Sequence, residues 1–205
     1  MLVGSLVLAG GRSRRMGKPK ESLPFGSSTL LGHTVELMLH CTWPVLVVGR
    51  DKEQELPPLP LEAEVVLDDA PGKGPLWAIA TGMRRLQKGG DLSGSDAVFV
   101  TGCDAPFLTA DAVAWLCGQL GDQQAVMPRV GDTLQPLCAI YRLDCLPVIE
   151  QLLKDGVDTP RTLADKVPTR VPDEAVLRRF DPELKFLRNL NTPEEYDAAR
   201  RAAEA

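Results

Sequence analysis

Apolar residues along the chain come alternately in short unbroken runs and in longer segments with helical spacing. "GSLVL" (4–8) is a short run that gives way to Ala9 and two glycines, as a buried parallel strand does. "LLGHTVELMLH" (30–40) has helical length and puts Leu30, Val35, Leu37 and Met38 largely on one side. "VLVVG" (45–49) predicts a second strand, followed by the proline-punctuated "LPPLPLE" and a third strand, "AEVVLDD" (63–69). "PLWAIATGMRRLQK" (75–88) predicts a helix that stops before Gly89 and Gly90. "DAVFVTG" (96–102) is a fourth strand leading to the helix "ADAVAWLCGQL", and "QAVMP" and "PLCAIYR" give further strands. Beyond Gly156 the periodicity weakens, and "VDTPRTLADKVPTRVPDE" predicts one short helix among irregular connections. The last helix, in "TPEEYDAARRAAE", is announced by Thr192 as N-cap, Pro193 at the first position and Glu195 in capping-box register.

Strands alternating with helices predict an α/β fold of three layers, a mostly parallel sheet with helices on both faces. No repeat, low-complexity tract or linker interrupts the chain, so residues 1–205 are expected to form a single domain. In such sheets the functional site lies beyond the carboxyl ends of the strands. That rule directs attention to the loop after each strand.

Composition narrows the choice. A formal net charge of -5 argues against general nucleic-acid binding, which leaves a basic face. Five cysteines at wide spacings, with no C-x-x-C pair, read as reduced structural thiols of a cytosolic protein. "MLVGSLVLAG" lacks a positive leading region and is too short to span a bilayer. "SRRMGK" superficially resembles a twin-arginine signal, but "ESLPFGSS" comes next, where an apolar segment should be. A cytoplasmic location without membrane association is expected.

Against this acidic background, "LVLAGGRSRRMGKPK" places Arg12, Arg14, Arg15, Lys18 and Lys20 directly after the first strand. Gly10 and Gly11 let backbone amides approach an anion, and the cations neutralise it, which is the composition of a phosphate cradle. The loop fits neither G-x-x-x-x-G-K-[ST] nor G-x-G-x-x-G, and a solvated turn with incidental cations remains the alternative. L-A-G-G-R-S-R-R-M-G-x-x-K resembles the signature loop of the nucleotidyltransferase superfamily, in its molybdenum cofactor guanylyltransferase branch. The resemblance implies a Rossmann-like nucleotidyltransferase fold, in which Gly10, Gly11 and Arg15 hold a nucleoside triphosphate and Lys20 stabilises the reacting α-phosphate. Leu8 and Ala9 would begin the base pocket.

Three further stretches sit where the edge rule points. In "VVLDDAPGKGPL" an aspartate closes a strand, either as a turn residue or as part of the site. The resemblance selects Asp69, with Gly74, Pro75 and Leu76 helping to hold the base; Trp77 and Ala78 depart from the family's pattern. In "FVTGCDAPFL" Asp104 can reach a metal on phosphates or make a local turn, and the resemblance implies the metal aspartate. In "NLNTPEE" Asn189 and Asn191 project to one side of extended backbone, and the resemblance implies that Asn191 helps hold the metal. "LQPLCAIYR" resembles a stretch near the second substrate, so Gln135 and Pro136, with Asn189, are acceptor candidates, and Arg161 could meet an acceptor phosphate. His33 and His40 fall inside a predicted helix and are read as structural.

No Ser/His/Asp or Cys/His set is apparent, which suits phosphoryl-type transfer, where positioning and charge neutralisation carry the catalysis. The resemblance implies guanylyl transfer from GTP to molybdopterin with Mg2+, and transient contact with molybdoenzymes or their chaperones. Catalysis would fall to Lys20, Arg15 and Asp104. The rival readings are cytidylyl or other nucleotidyl transfer to a small phosphate, and a non-catalytic nucleotide-binding module on the same fold.

Overall fold

The computed structural model describes residues 1–11 and 17–203. Strand β1 (Val3–Leu8) is followed by a short hairpin, β2 (Pro24–Phe25) and β3 (Ser28–Thr29), then by helix α1 (Leu30–Cys41). Strands β4 (Val45–Gly49) and β5 (Ala63–Leu67), helix α2 (Pro75–Gly89), β6 (Ala97–Gly102) and α3 (Ala110–Gly118) come next. The remainder holds β7 (Ala125–Val126), a hairpin of β8 (Arg129–Val130) and β9 (Thr133–Leu134), and β10 (Cys138–Arg142). It ends with α4 (Leu146–Lys154), β11 (Thr169–Arg170), α5 (Glu174–Phe180) and α6 (Pro193–Ala203).

Seven strands make one sheet in the order β11-β7-β10-β6-β1-β4-β5. β1 lies in parallel between β4 and β6, whereas β10 runs antiparallel to β6 and β7. Alternating residues explain the layers. Leu6, Leu46, Val98 and Val100 turn to one face and pack against α2 and α4, through Ile79, Met83, Ile149 and Leu153. Val7, Val47 and Phe99 turn to the other and pack against α1, α3 and α5, through Val35, Leu116 and Leu177. Both faces are therefore covered, as the near-continuous apolar runs of β1, β4 and β6 require.

Threonines start two of these helices: Thr29 Oγ1 accepts from the Gly32 N–H at 3.1 Å, and Thr109 Oγ1 from the Ala112 N–H at 3.2 Å. A third, smaller cluster joins Leu23, Phe25, Leu30, Leu190 and Ala199, with Tyr196 at its edge. It ties the amino-terminal hairpin to the last helix.

The predicted elements are present with trimmed ends. The strand expected over 63–69 stops at Leu67, which leaves Asp68 and Asp69 beyond the ladder. The one over 124–128 is only β7, because Pro128 cannot donate to a ladder. Helices α4 and α5 are additions. In α4 Pro147 sits in the first turn, where its missing N–H costs nothing. α5 spans seven residues with Leu177 as its buried residue, too little to make a periodic signal. The helix expected near 157–174 is a 3-10 segment, Pro160–Asp165. Among the described residues no helix is long and apolar enough to cross a membrane.

Candidate active site

Three side chains from distant parts of the chain meet at the carboxyl edge of β1 and β6. Lys20 Nζ lies 2.8 Å from Asp104 Oδ2 and 3.3 Å from Asn191 Oδ1. Local structure sets each one. Lys20 opens a 3-10 turn, Lys20–Ser22, closed by the Leu23 N–H donating to the Lys20 carbonyl at 3.1 Å. Asp104 follows β6, and its carboxylate folds back so closely that a Cβ on Gly102 would stand 2.7 Å from Oδ1. Any side chain at 102 would displace that carboxylate. The Asp104 carbonyl also accepts from the Leu190 N–H at 2.9 Å, which docks the asparagine segment beside it.

Asn191 is fixed in turn by the start of α6. Thr192 and Glu195 form the reciprocal capping box, with Glu195 N–H donating to Thr192 Oγ1 at 3.2 Å and Thr192 N–H to Glu195 Oε2 at 3.0 Å. The same Oε2 accepts from the Asn191 N–H at 2.6 Å. Glu195→Ala is therefore expected to cost about 1 kcal/mol, roughly 2–4 °C in Tm, by loss of the cap. It should also lower turnover severalfold by loosening Asn191. A thermal melt alongside a rate assay checks this, and an unchanged Tm would refute the cap.

The other nucleotide candidates line the same edge. The Ala9 N–H donates to the Val48 carbonyl at 2.9 Å, so β1 and β4 stay paired up to the glycines. Gly10 passes beside Arg50, with its would-be Cβ 3.5 Å from the Arg50 Cα. A cavity of about 680 Å³ opens here, lined in part by Gly11, Lys18, Glu21, Arg50 and Gln54. Arg15 lies outside the described residues. Asp69 turns its carboxylate to Arg84 of α2, 2.7 Å away, and its N–H donates to Thr81 Oγ1. Asp68 is the less exposed of the pair, and burial pushes its carboxyl above the usual range, with Asp69's charge adding to the shift. Gly74 has φ of 105° and packs on Asp158, so a side chain there would be strained and crowded. Pro75 and Leu76 then begin α2.

A second cavity, about 240 Å³, brings together Gln135, Pro136 and Asn189 with Pro75, Arg161 and Cys138. The two asparagines thus part company: Asn191 serves Lys20, and Asn189 faces the second cavity. Arg161, weighed against plain solvent exposure, lines it too.

The bland readings hold elsewhere. His33 Nε2 pairs with the Pro106 carbonyl at 3.2 Å and its ring meets Phe25 edge-on. His40 Nδ1 pairs with the Glu36 carbonyl within α1. Cys103, next to Asp104, is buried, and burial raises its thiol far beyond the range of a thiolate nucleophile. Asp104 and Asn191 supply one carboxylate and one amide oxygen on the same ammonium. Mg2+ takes one or two carboxylates and completes its shell with phosphate oxygens and water, so this donor set suits it.

Sequence reasoning passed over Arg50, Glu21 and Gln54. The edge rule applied to β4 would have found Arg50, which directly follows that strand. Nothing in the residue order marks Glu21 as buried.

Comparison with known proteins now bears on the site. The profile of the MobA-like NTP transferase domain matches residues 5–170. The chain belongs to the MobA-like NTP transferase family. It is a nucleotidyltransferase. Molybdenum cofactor guanylyltransferase of Syntrophotalea carbinolica is 30% identical over 201 residues, covering 96% of this chain and 90% of that protein. The protein of the same description from Desulfosudis oleivorans is 30% identical, covering 99% and 96%. Among solved structures, molybdopterin-guanine dinucleotide biosynthesis protein A from Archaeoglobus fulgidus superposes with a TM-score of 0.78 at 23% identity, over 98% of both chains. A 2-C-methyl-D-erythritol 4-phosphate cytidylyltransferase from Thermus thermophilus superposes at 0.69 with 18% identity over both whole chains, so the fold is common to the wider nucleotidyltransferase group.

Within this MobA-like transferase, the two departures at 77 and 78 have a structural account. Trp77, in the first turn of α2, packs on the main core, with Lys73 Nζ 5.5 Å above its ring, and lines neither described cavity. Ala78 is buried. The indole is partly buried against the core, and its exposed face carries the Lys73 ammonium.

Proposed function

We propose that this enzyme transfers GMP from GTP to the phosphate of molybdopterin, forming the guanine dinucleotide and releasing pyrophosphate. The observation that carries the reading is the convergence of Lys20, Asp104 and Asn191 at the carboxyl edge of β1 and β6, beside the glycine loop. The names of the curated relatives supply the substrate pair.

The chemistry is an in-line displacement. A non-bridging oxygen of the acceptor phosphate forms a bond to the α-phosphorus as the bond from that phosphorus to the β-bridging oxygen breaks, and pyrophosphate leaves with the electron pair. The acceptor is a phosphate monoester with a second pKa near 6, so it is largely dianionic at neutral pH and needs no general base. The barrier is repulsion between two anions. Lys20 meets it with a fixed ammonium at the α-phosphate, and Arg15 adds charge from the glycine loop. Asp104 with Asn191 would hold Mg2+, which would supply further neutralisation when bound. Ala9, Gly10 and Gly11 give a close backbone wall for the nucleotide, with Leu8, Asp69 and Gly74 beside the base and sugar; Leu76 supports this wall from the core, and Pro75 borders the smaller cavity. The 240 Å³ cavity with Gln135, Pro136, Asn189 and Arg161 takes the acceptor. The amino-terminal half of one domain thus binds nucleotide and the carboxyl-terminal half binds acceptor.

The test is pyrophosphate release with molybdopterin and Mg2+, comparing GTP, CTP and ATP. Release with GTP in strong preference is expected. A preference for CTP would keep the mechanism and overturn the base assignment. Nucleotide binding without release would move the protein to the non-catalytic reading.

A further inference from the structure

We propose that Gln54 is a positioning residue for Lys20, acting through the buried carboxylate of Glu21; this rests on Lys20 being the cation at the α-phosphate. Gln54 lies in the loop after β4 and uses both ends of its amide. Oε1 accepts from the Arg50 N–H at 2.6 Å, while Nε2 donates to the Ala9 carbonyl at 2.7 Å and to Glu21 Oε1 at 2.6 Å. One acceptor and two donors on a planar head is what a carboxamide offers, and asparagine is a methylene shorter. A single side chain therefore bolts together the loop after β1, the loop after β4 and the turn that carries Lys20.

Glu21 explains why the bolt matters. It is 2% exposed, and a carboxylate withdrawn that far from water needs a hydrogen-bond donor. Among the described residues, Gln54 is the side chain that supplies one. Glu21 occupies the centre of the Lys20–Ser22 turn. Successive side chains in a 3-10 turn diverge by about 120°, so Glu21 points inward while Lys20 points across to Asp104. Pinning Glu21 fixes the root of the lysine. At present Asp104 also holds the tip, at 2.8 Å. When a triphosphate draws the ammonium from that carboxylate, aiming the flexible four-carbon stem depends more heavily on its root. The latch should therefore matter more in the reacting complex than in the resting protein.

Two other roles would leave different marks. Gln54 could simply staple loops, or it could touch the nucleotide directly, because it lines the larger cavity. The experiment measures pyrophosphate release by the full chain with GTP and molybdopterin, plus thermal melting. The variants are Gln54→Met, Lys20→Met, the pair combined, Gln54→Glu, and the exchange Glu21→Gln with Gln54→Glu. A small displacement of a catalytic group costs up to about 100-fold, so Gln54→Met should lower kcat by about 10–100-fold with KM for GTP moved less than about threefold. In the Lys20→Met background the same change should add less than about twofold, because its effect runs through that lysine. Gln54→Glu alone should be worse, since two carboxylates then face each other. The exchange should recover most of the rate. Its carboxamide, now on the turn, donates to the carboxylate now on the β4 loop, which still accepts from Arg50, while the Ala9 carbonyl then faces an acceptor oxygen, so recovery stops short of the wild-type rate.

A raised KM at unchanged kcat, or full additivity with Lys20→Met, would overturn the proposal in favour of direct nucleotide contact. Wild-type kcat in a folded Gln54→Met would overturn it outright, as would loss of Tm with no change in rate. An inactive wild type would instead indict the assigned reaction. In that case amide hydrogen exchange over residues 20–23 still reads the latch, which predicts faster exchange in Gln54→Met but not in Lys20→Met.

Discussion

Lys20→Met is expected to lower kcat by about 10²–10³-fold, the usual cost of removing one preorganised charge stabiliser from a transition state. Methionine keeps the apolar stem as far as Cε and removes only the ammonium, so packing around the Lys20–Ser22 turn should survive. Melting temperature and far-UV circular dichroism should match the wild type. The ammonium is most valuable where it is least replaceable: its side chain is 14% exposed, so water cannot screen the developing charge as effectively as at an open surface. Binding of GTP should weaken much less than turnover, because the glycine loop and its remaining cations still hold the triphosphate. A folded variant with kcat within about threefold of wild type would refute the assigned role.

Asp104→Asn is the second large effect, again about 10²–10³-fold in kcat. Asparagine is nearly isosteric, and the backbone carbonyl of residue 104 would still accept from Leu190, so the asparagine segment should stay docked. Folding should change little: the Lys20–Asp104 pair is part-exposed at the carboxylate, 23%, and such pairs contribute about 1 kcal/mol or less. What is lost is the carboxylate of the proposed Mg2+ site. The required Mg2+ concentration should rise, and excess metal should restore part of the rate in Asp104→Asn but none in Lys20→Met. Identical metal titrations for the wild type and Asp104→Asn would remove Asp104 from the metal site.

Much of this site was legible from residue order because the chemistry sits where a simple rule looks. Gly10, Gly11 and Lys20 follow β1, and Asp104 follows β6. Asn191 was separated from its neighbours by a capping pattern that accounted for Thr192 and Glu195 but not for it. The strands were readable because parallel strands buried on both faces leave unbroken apolar runs, as in "VLVVG". Three things were hidden for physical reasons. Glu21 reads as a surface acid, since burial of a charge depends on a partner 33 residues away. Asp69 reads as a free site carboxylate, whereas Arg84 engages it from a helix whose facing side periodicity does not specify in detail. The division of labour between Asn189, which borders the smaller cavity, and Asn191, which meets Lys20, is a property of tertiary packing alone.

The contact between Lys20 and Asn191 closes a loop of 171 residues, and that with Asp104 one of 84. Closing such loops carries an entropic cost that only a finished core offsets. A partly folded chain therefore owns the glycine loop and its cations without the carboxylate and amide that complete the set. The complete set exists only once the chain has folded through Asn191, so a fragment that ends before that residue is expected to lack transfer activity.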